Sequence, residues 1–437
     1  MLVPFFSYIA RKNRRRLLGK NRKNSPPILT IVALNSELFR GDLEILEERG
    51  FKVFPIPVFW QWQLVHCFYA KELTSTSDIV VRWFGRKACE DTTASAFALQ
   101  GFLSRFLPQL YRSFKCDLLI HANFRHLPDL DWLAANEKLA HPSVLLFREL
   151  LAVDKRSFDG VVNRTRLNGK SFGSVAVVGN ERIKEALERS GVFPPGNVVA
   201  LGSLRMAKFG TTLQQKENDR IQNRKKQFTV VMFYQPPRFK GRRMPSFVQQ
   251  HDDTLKVFVE IAKRHPEYQI IIKPKIEHLS GTKNSVKGLD FQELRRHGWD
   301  SSITNLYIQS AVDAQTLISR SDVVIGFLST GVLEAAVAGK TVVVPFFEEF
   351  RLSPCSADYP LLTFLPYVDV ATGKEHLKEL IEGNASRKVI DSALMAKRSE
   401  FFERYVSPLD QGVCSAIENC LIRVSGCGVT SSAARLK

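Results

Sequence analysis

At 437 residues, with 44% hydrophobic and 24% charged residues and a formal charge of +18, the chain is long enough for two domains with separate cores. No apolar run approaches the ~18 residues a bilayer-spanning helix needs. Seven scattered cysteines, without a C-x-x-C pair, argue against a disulfide framework or zinc site and for a reducing compartment, and nine histidines include no H-E-x-x-H spacing.

The charge has a local source. Residues 1–24 carry Arg11, Lys12, Arg14, Arg15, Arg16, Lys20, Arg22 and Lys23 and no acidic residue, behind the apolar MLVPFFSYIA. A secretory signal has the opposite order, basic before apolar. Three readings of this segment stay open: a face on an anionic membrane surface, a plain basic tail, or a nucleic-acid arm. With no recognition helix, zinc finger or RNP motif, nucleic acid is not expected as a partner. The remaining positive excess suits anionic substrates such as nucleotide-sugars or phospholipid carriers.

After Pro26-Pro27, residues 28–34 read as a buried strand, residues 35–49 as a helix stopped by Gly50, and residues 51–58 as a second strand. The aromatic-rich stretch 61–73 and residues 94–114 read as packed helices. Residues 116–122, 143–147, 174–178 and 197–202 read as strands, with a helix at 181–190. Asp129-Leu130-Asp131 matches a bare D-x-D pattern, and the two aspartates read as loop and cap residues rather than metal ligands. Residues 211–226 are polar, charged and turn-poor, the strongest compositional break in the chain. Beyond it come strands at 228–233, 268–272 and 306–308 and helices at 252–265 and 314–319. The boundaries expected are therefore a basic and apolar segment 1–27, a Rossmann-like domain 28–210, a linker 211–227, a second Rossmann-like domain 228–385, and C-terminal helices with a tail, 386–437.

The most informative stretch is SDVVIGFLSTGVLEAAVAGKTVVVPFF, residues 321–347. A β-branched run gives way to Leu328-Ser329-Thr330-Gly331, then a helix that Gly339 ends, then another buried strand. Ser329 and Thr330 can cap that helix, and a helix start lined with small hydroxyls can also hold a phosphate. At the end of an earlier strand stand Lys273-Pro274-Lys275, where two cations could help with a diphosphate.

The runs HDDTLKVFVEIAKRHPEYQIIIKPK (251–275) and SRSDVVIGFLSTGVLEAAVAGKTVVVPFF (319–347) resemble the C-terminal half of GT-B glycosyltransferase-like proteins. The nearest sets are bacterial surface-carbohydrate and capsule biosynthesis proteins and the CDP-glycerol glycerophosphotransferases. The resemblance implies an α/β fold of two Rossmann-like, doubly wound domains facing a cleft, and an inverting, metal-independent transferase that needs no cofactor beyond its nucleotide-activated donor. Residues 174–206 are similar to the segment that closes the N-terminal domain in those families. Here the chain departs from their pattern: Gly202-Ser203-Leu204-Arg205-Met206 has no proline before the arginine, and Ala207-Lys208 stand where an aspartate is expected. Lys275 replaces a common histidine. The tryptophan-histidine-glycine signature of the glycerophosphotransferases is absent, its nearest counterpart being Leu146-Phe147-Arg148-Glu149.

Under this resemblance Ser329, Thr330, Gly331, Lys273, Lys275 and Arg205 would hold the donor diphosphate and Glu334 the ribose. Glu149, or else His121, would be the general base. The activity expected is transfer of a sugar from a nucleotide-activated donor to a cell-surface glycan or lipid-linked acceptor. The location expected is cytoplasmic, peripheral at the inner face of the cell membrane through residues 1–24. Glycerophosphotransfer, nucleotide-sugar 2-epimerisation and a non-catalytic nucleotide- or glycan-binding module remain alternatives.

Overall fold

The computed structural model describes residues 2–18, 26–39, 41–69, 90–124, 126–147, 152–166, 171–219, 227–237, 244–274, 289–327, 329–384 and 390–426. It divides into two compact units, Met1–Thr211 with Arg404–Lys437, and Thr212–Glu403.

The first unit is built on a six-stranded sheet of order β2-β1-β3-β4-β5-β6, parallel throughout. Its strands are β1 (Thr30–Leu34), β2 (Lys52–Ile56), β3 (Leu118–His121), β4 (Ser143–Phe147), β5 (Val175–Val178) and β6 (Val198–Ala200). These strands read as continuous apolar runs because helices cover both faces of a parallel sheet. Side chains still alternate between faces. Val32 and Leu34 join Trp62, Leu99, Leu103 and Trp132 on one side, while Ile31 and Ala33 join Leu43, Leu46 and Ile417 on the other.

Both ends of the chain help to close this unit. Residues Leu2–Leu18 form a helix whose Phe6, Ile9 and Ala10 are buried, the first and last in the core cluster of one sheet face. Arg14 makes two hydrogen bonds to the Glu47 carboxylate, at 2.7 and 2.9 Å, and Ser7 Oγ lies 2.8 Å from Ser113 Oγ. The basic segment is therefore integrated into the fold over its helical part. At the other end, Gly412–Val424 is a helix that places Val413, Cys414, Ile417, Cys420 and Leu421 on the opposite sheet face. The returning backbone presses on two glycines. A Cβ at Gly179 would stand 2.3 Å from the Val406 carbonyl oxygen, and one at Gly210 would stand 2.1 Å from that of Leu409.

The second unit repeats the design with order β12-β11-β10-β7-β8-β9, again all parallel. Its strands are β7 (Thr229–Tyr234), β8 (Gln269–Pro274), β9 (Leu306–Ile308), β10 (Val323–Gly326), β11 (Thr341–Pro345) and β12 (Asp369–Ala371). The expectation of two doubly wound, Rossmann-like α/β units is met.

Several elements differ from the sequence reading. Residues 35–49 hold a short 3-10 turn (Ser36–Leu38) and a separate helix (Asp42–Glu48) rather than one helix. The stretch read as a linker starts inside the helix Leu204–Asp219. The C-terminal stretch is shared between the units. In the helix Ser392–Tyr405, Arg398 donates to the carbonyls of Tyr367 and Lys340 in the second unit, whereas Gly412–Val424 packs on the first. A helix also runs over Leu127–Lys138 where loop and cap residues were expected. Its sequence, LPDLDWLAANEK, shows no amphipathic contrast because Asp129, Asp131 and Asn136 are buried along with Leu130, Trp132 and Leu133.

If the C-terminal helix completes the first core, Ile417→Ala should cost about 2–4 kcal/mol, the usual range for truncating a buried aliphatic side chain. Hydrogen–deuterium exchange should quicken across β1–β6 and stay unchanged across β7–β12. Equal acceleration in both units, or none in β1 and β3, would contradict this packing.

Candidate functional site

In the second unit the chain lays down β7, adds β8 and β9 on one side, and then crosses to the other side with β10, β11 and β12. Helices that depart to opposite faces leave a crevice at the carboxyl ends of the two strands where the order reverses, here β7 and β10. Register aligns Gly326 of β10 with Phe233 of β7, and Phe233 with Lys273 of β8. With strands about 4.8 Å apart, these positions form one ledge about 10 Å wide.

The helix Thr330–Val337 rises from this ledge. Ser329 caps it in an extended conformation (φ −98°, ψ 136°), and its Oγ accepts the Gly331 N–H at 3.1 Å. The helix start sits very close to the strands. A Cβ on Gly326 would come within 2.7 Å of Val332 Cγ2, and one on Gly331 within 3.0 Å of the Phe233 ring. Only glycine allows that approach without displacement of a neighbour.

Phe327, the residue between ledge and loop, is held from two directions. The His251 ring stacks on it at 3.7 Å and 18°, and the Tyr359 hydroxyl donates to its carbonyl. The His251 ring is itself fixed by a 2.8 Å contact between Nδ1 and the Phe247 carbonyl oxygen, and burial lowers its pKa to about 4, so it stays neutral near pH 7. These two residues escaped the sequence reading. Nothing local marks them, since His251 lies in the second turn of the helix Pro245–Arg264 and Tyr359 in a loop far along the chain.

Ser329 is half-buried, Thr330 exposed and Gly331 buried, all on this ledge. Lys273 reaches the same edge, where its Nζ donates to the Ser310 carbonyl at 2.9 Å. Ser329, Thr330 and Gly331 therefore stand together past β10, whereas Lys273 is two strands away on β8 with its ammonium bound to the chain just past β9. Glu334 is placed differently. It is 1% exposed, and its carboxylate accepts from Gln315 Nε2 at 3.2 Å, so it ties two helices together instead of facing outward for a ribose. Lys275 and Glu149 lie outside the described residues.

Arg205 belongs to the first unit, in the first turn of Leu204–Asp219, where its backbone N–H donates to Asp42 Oδ1 at 3.0 Å. His121 closes β3 in the same unit and is fully buried. Its Nδ1 lies 3.1 Å from the Asn123 carbonyl oxygen, and burial lowers its pKa to about 4. Its Nε2 faces Gly173, where an added Cβ would stand 3.4 Å away. Nε2 is buried without a hydrogen-bond partner among the described residues, so the ring presents neither nitrogen to solvent in this structure.

The first unit's own reversal point lies between β1 and β3. Beside it is a buried polar cluster around Asp129 and Asp131, the two residues expected in a loop and cap. Asp129 Oδ1 accepts from Gln61 Nε2 at 2.7 Å, and the Asn35 amide lies between Asp129 Oδ2 (3.4 Å) and His126 Nδ1 (3.0 Å). Asn35 is held there in a left-handed conformation (φ 50°, ψ 55°). Asp131 accepts from Tyr69 and Gln100. Burial raises the Asp129 carboxyl to about 7 and that of Asp131 to about 6, against the hydrogen bonds that pull the other way.

No protein-family model matches the sequence, and no curated protein matches it significantly. Among solved structures, it is similar to a UDP-N-acetylglucosamine 2-epimerase at 14% identity and a TM-score of 0.48, over 91% of this chain and 96% of that one. The UDP-GlcNAc 2-epimerase from Neisseria meningitidis, bound to UDP-GlcNAc, gives 13% and 0.45 over 90% and 100%. The wall teichoic acid polymerase TagF gives 11% and 0.49 over 96% and 94%.

The raised carboxyl of Asp129 makes a pH prediction with a definite sign. Folded Asp129 keeps its proton up to about pH 7, whereas an unfolded aspartate loses it near pH 4, so this group's contribution to stability falls as pH rises between those values. In urea unfolding, Asp129→Asn should gain on the wild type by roughly 1–3 kcal/mol between pH 5 and pH 8. A difference that is flat over that range would show that the carboxyl is already ionised in the folded chain.

Proposed function

We propose that this chain is a glycosyltransferase that uses a nucleotide-activated sugar and holds the donor diphosphate on the β7–β10 ledge of its second unit. The observation that carries the reading is the Thr330–Val337 helix start at a strand-order reversal, with Lys273 two strands away on the same sheet edge. Partial positive charge at a helix N-terminus and an ammonium group are what a departing diphosphate needs. The resemblance of residues 251–275 and 319–347 to the donor-nucleotide half of GT-B proteins supports the same assignment.

In such a reaction the acceptor oxygen forms a bond to the anomeric carbon as the bond to the donor phosphate breaks, and the nucleoside diphosphate leaves with the electron pair. The helix start and Lys273 stabilise the charge that develops on it. A base takes the acceptor proton. With His121 fully buried, Glu149, two residues past β4 in the sequence, is the candidate for that role. The acceptor class proposed is a cell-surface glycan or a lipid-linked saccharide.

Nucleotide screening by thermal denaturation tests the donor site. UDP, CDP or CMP at about 100 times its dissociation constant should stabilise the binding unit by about 2.7 kcal/mol, a rise of several degrees in melting temperature. Ser329→Ala and Lys273→Ala should each weaken that response about tenfold, while Arg205→Ala tests whether the first unit contributes. No shift with any nucleotide would defeat the reading. A shift without turnover of any nucleotide-sugar would leave a binding module in place of a transferase.

A further inference from the structure

The helix Leu2–Leu18 has two stripes. One, with Phe6, Ser7, Ile9 and Ala10, is buried against the first unit. The other follows the helical repeat through Leu2, Phe5, Tyr8, Arg11, Lys12, Arg15 and Arg16, all exposed. This outer stripe is apolar and aromatic toward its start and purely cationic toward its end, with Lys12 Nζ 5.9 Å from the Tyr8 ring centroid. It continues onto the neighbouring helix Val58–Phe68. Phe5 packs edge-on against Trp60 at 4.7 Å, and Trp60 against the exposed Phe59 at 5.0 Å.

Positive charge is also crowded beneath the cationic end. Burial lowers the pKa of Lys52 on β2, and the charges of Arg14, Arg11 and Lys115 lower it further, opposed by Glu47. Glu47 is already engaged by Nε and Nη2 of Arg14. The corner therefore gains by meeting negative charge. Among the described residues, no helix is long and apolar enough to cross a membrane.

We infer that the outer stripe of Leu2–Leu18, with Phe59, is a docking face for an anionic lipid surface. Leu2, Phe5, Tyr8 and Phe59 enter the headgroup region while Arg11, Lys12, Arg15 and Arg16 meet acidic headgroups. The aromatic half is what favours lipid over duplex nucleic acid, whose outward phosphate backbone would engage the cations alone. Because the inner stripe is part of the domain core, the face is held rigidly to the first unit rather than tethered by a flexible tail. This inference does not depend on the transferase reading.

The test is co-sedimentation of the full chain with vesicles of phosphatidylcholine alone and of phosphatidylcholine with 30 mol% phosphatidylglycerol, about a third of the lipid as in an acidic bilayer. The expected result is binding to the acidic vesicles only. It should fall at least tenfold in Arg11→Glu/Lys12→Glu/Arg15→Glu/Arg16→Glu and severalfold in Phe5→Ser/Tyr8→Ser, with the melting temperature of the charge-reversed variant unchanged because its four substituted side chains are exposed. Failure of the wild type to bind, or equal binding by the charge-reversed variant, would overturn the inference. So would tighter binding to duplex DNA that Phe5→Ser/Tyr8→Ser leaves intact, or a dimer in sedimentation velocity that this pair abolishes.

Discussion

The close approach of the Thr330–Val337 helix start to the ends of β7 and β10 governs the arrangement of the second unit. Val332 sits where a Cβ on residue 326 would be, and the Phe233 ring sits against Gly331. Bringing a helix start this near to two strand ends keeps its first N–H groups at the mouth of the crevice instead of displacing them into solvent. Rigidity follows from the same packing: His251 and Tyr359 clamp Phe327, so the loop to Ser329 begins from a fixed point. Preorganised dipoles of this kind need little rearrangement when charge develops in front of them.

The first unit shares the sheet design but puts different chemistry at its reversal point. There the polar groups turn inward. Asp129, Asp131, Gln61 and Gln100 satisfy one another inside the protein, and the two carboxyls are held toward their neutral forms. Such a network costs less buried as neutral acids than as carboxylates. The chain termini complete this unit from opposite sides, so its stability depends on segments far apart in sequence.

Legibility followed the range of the interactions involved. Strands whose burial is dictated by their own residues were readable; Ser143–Phe147 and Leu306–Ile308 appear with the expected ends. The Ser329–Gly331 turn was readable for the same reason, since cap, turn and helix are contiguous. The helix Leu127–Lys138 was not, because its polar residues point into the protein and erase the helical repeat. Nor could sequence place Glu334 against Gln315, or bury His121 beside Gly173, because each depends on a partner supplied by another element. In residues 1–24 composition alone could not separate a membrane face from a plain tail, with a nucleic-acid arm the least favoured; burial of Phe6, Ile9 and Ala10 separates the part that builds the domain from the part left outside.

The central claim is that a nucleoside diphosphate sits at the carboxyl ends of β7 and β10. A crystal structure of the chain with UDP or CDP tests it most directly. Phosphate oxygens should lie within hydrogen-bond distance of the backbone N–H groups that open the Thr330–Val337 helix, with the Lys273 ammonium turned toward them. A nucleotide bound away from this ledge, with Ser329, Thr330 and Gly331 untouched, would contradict it.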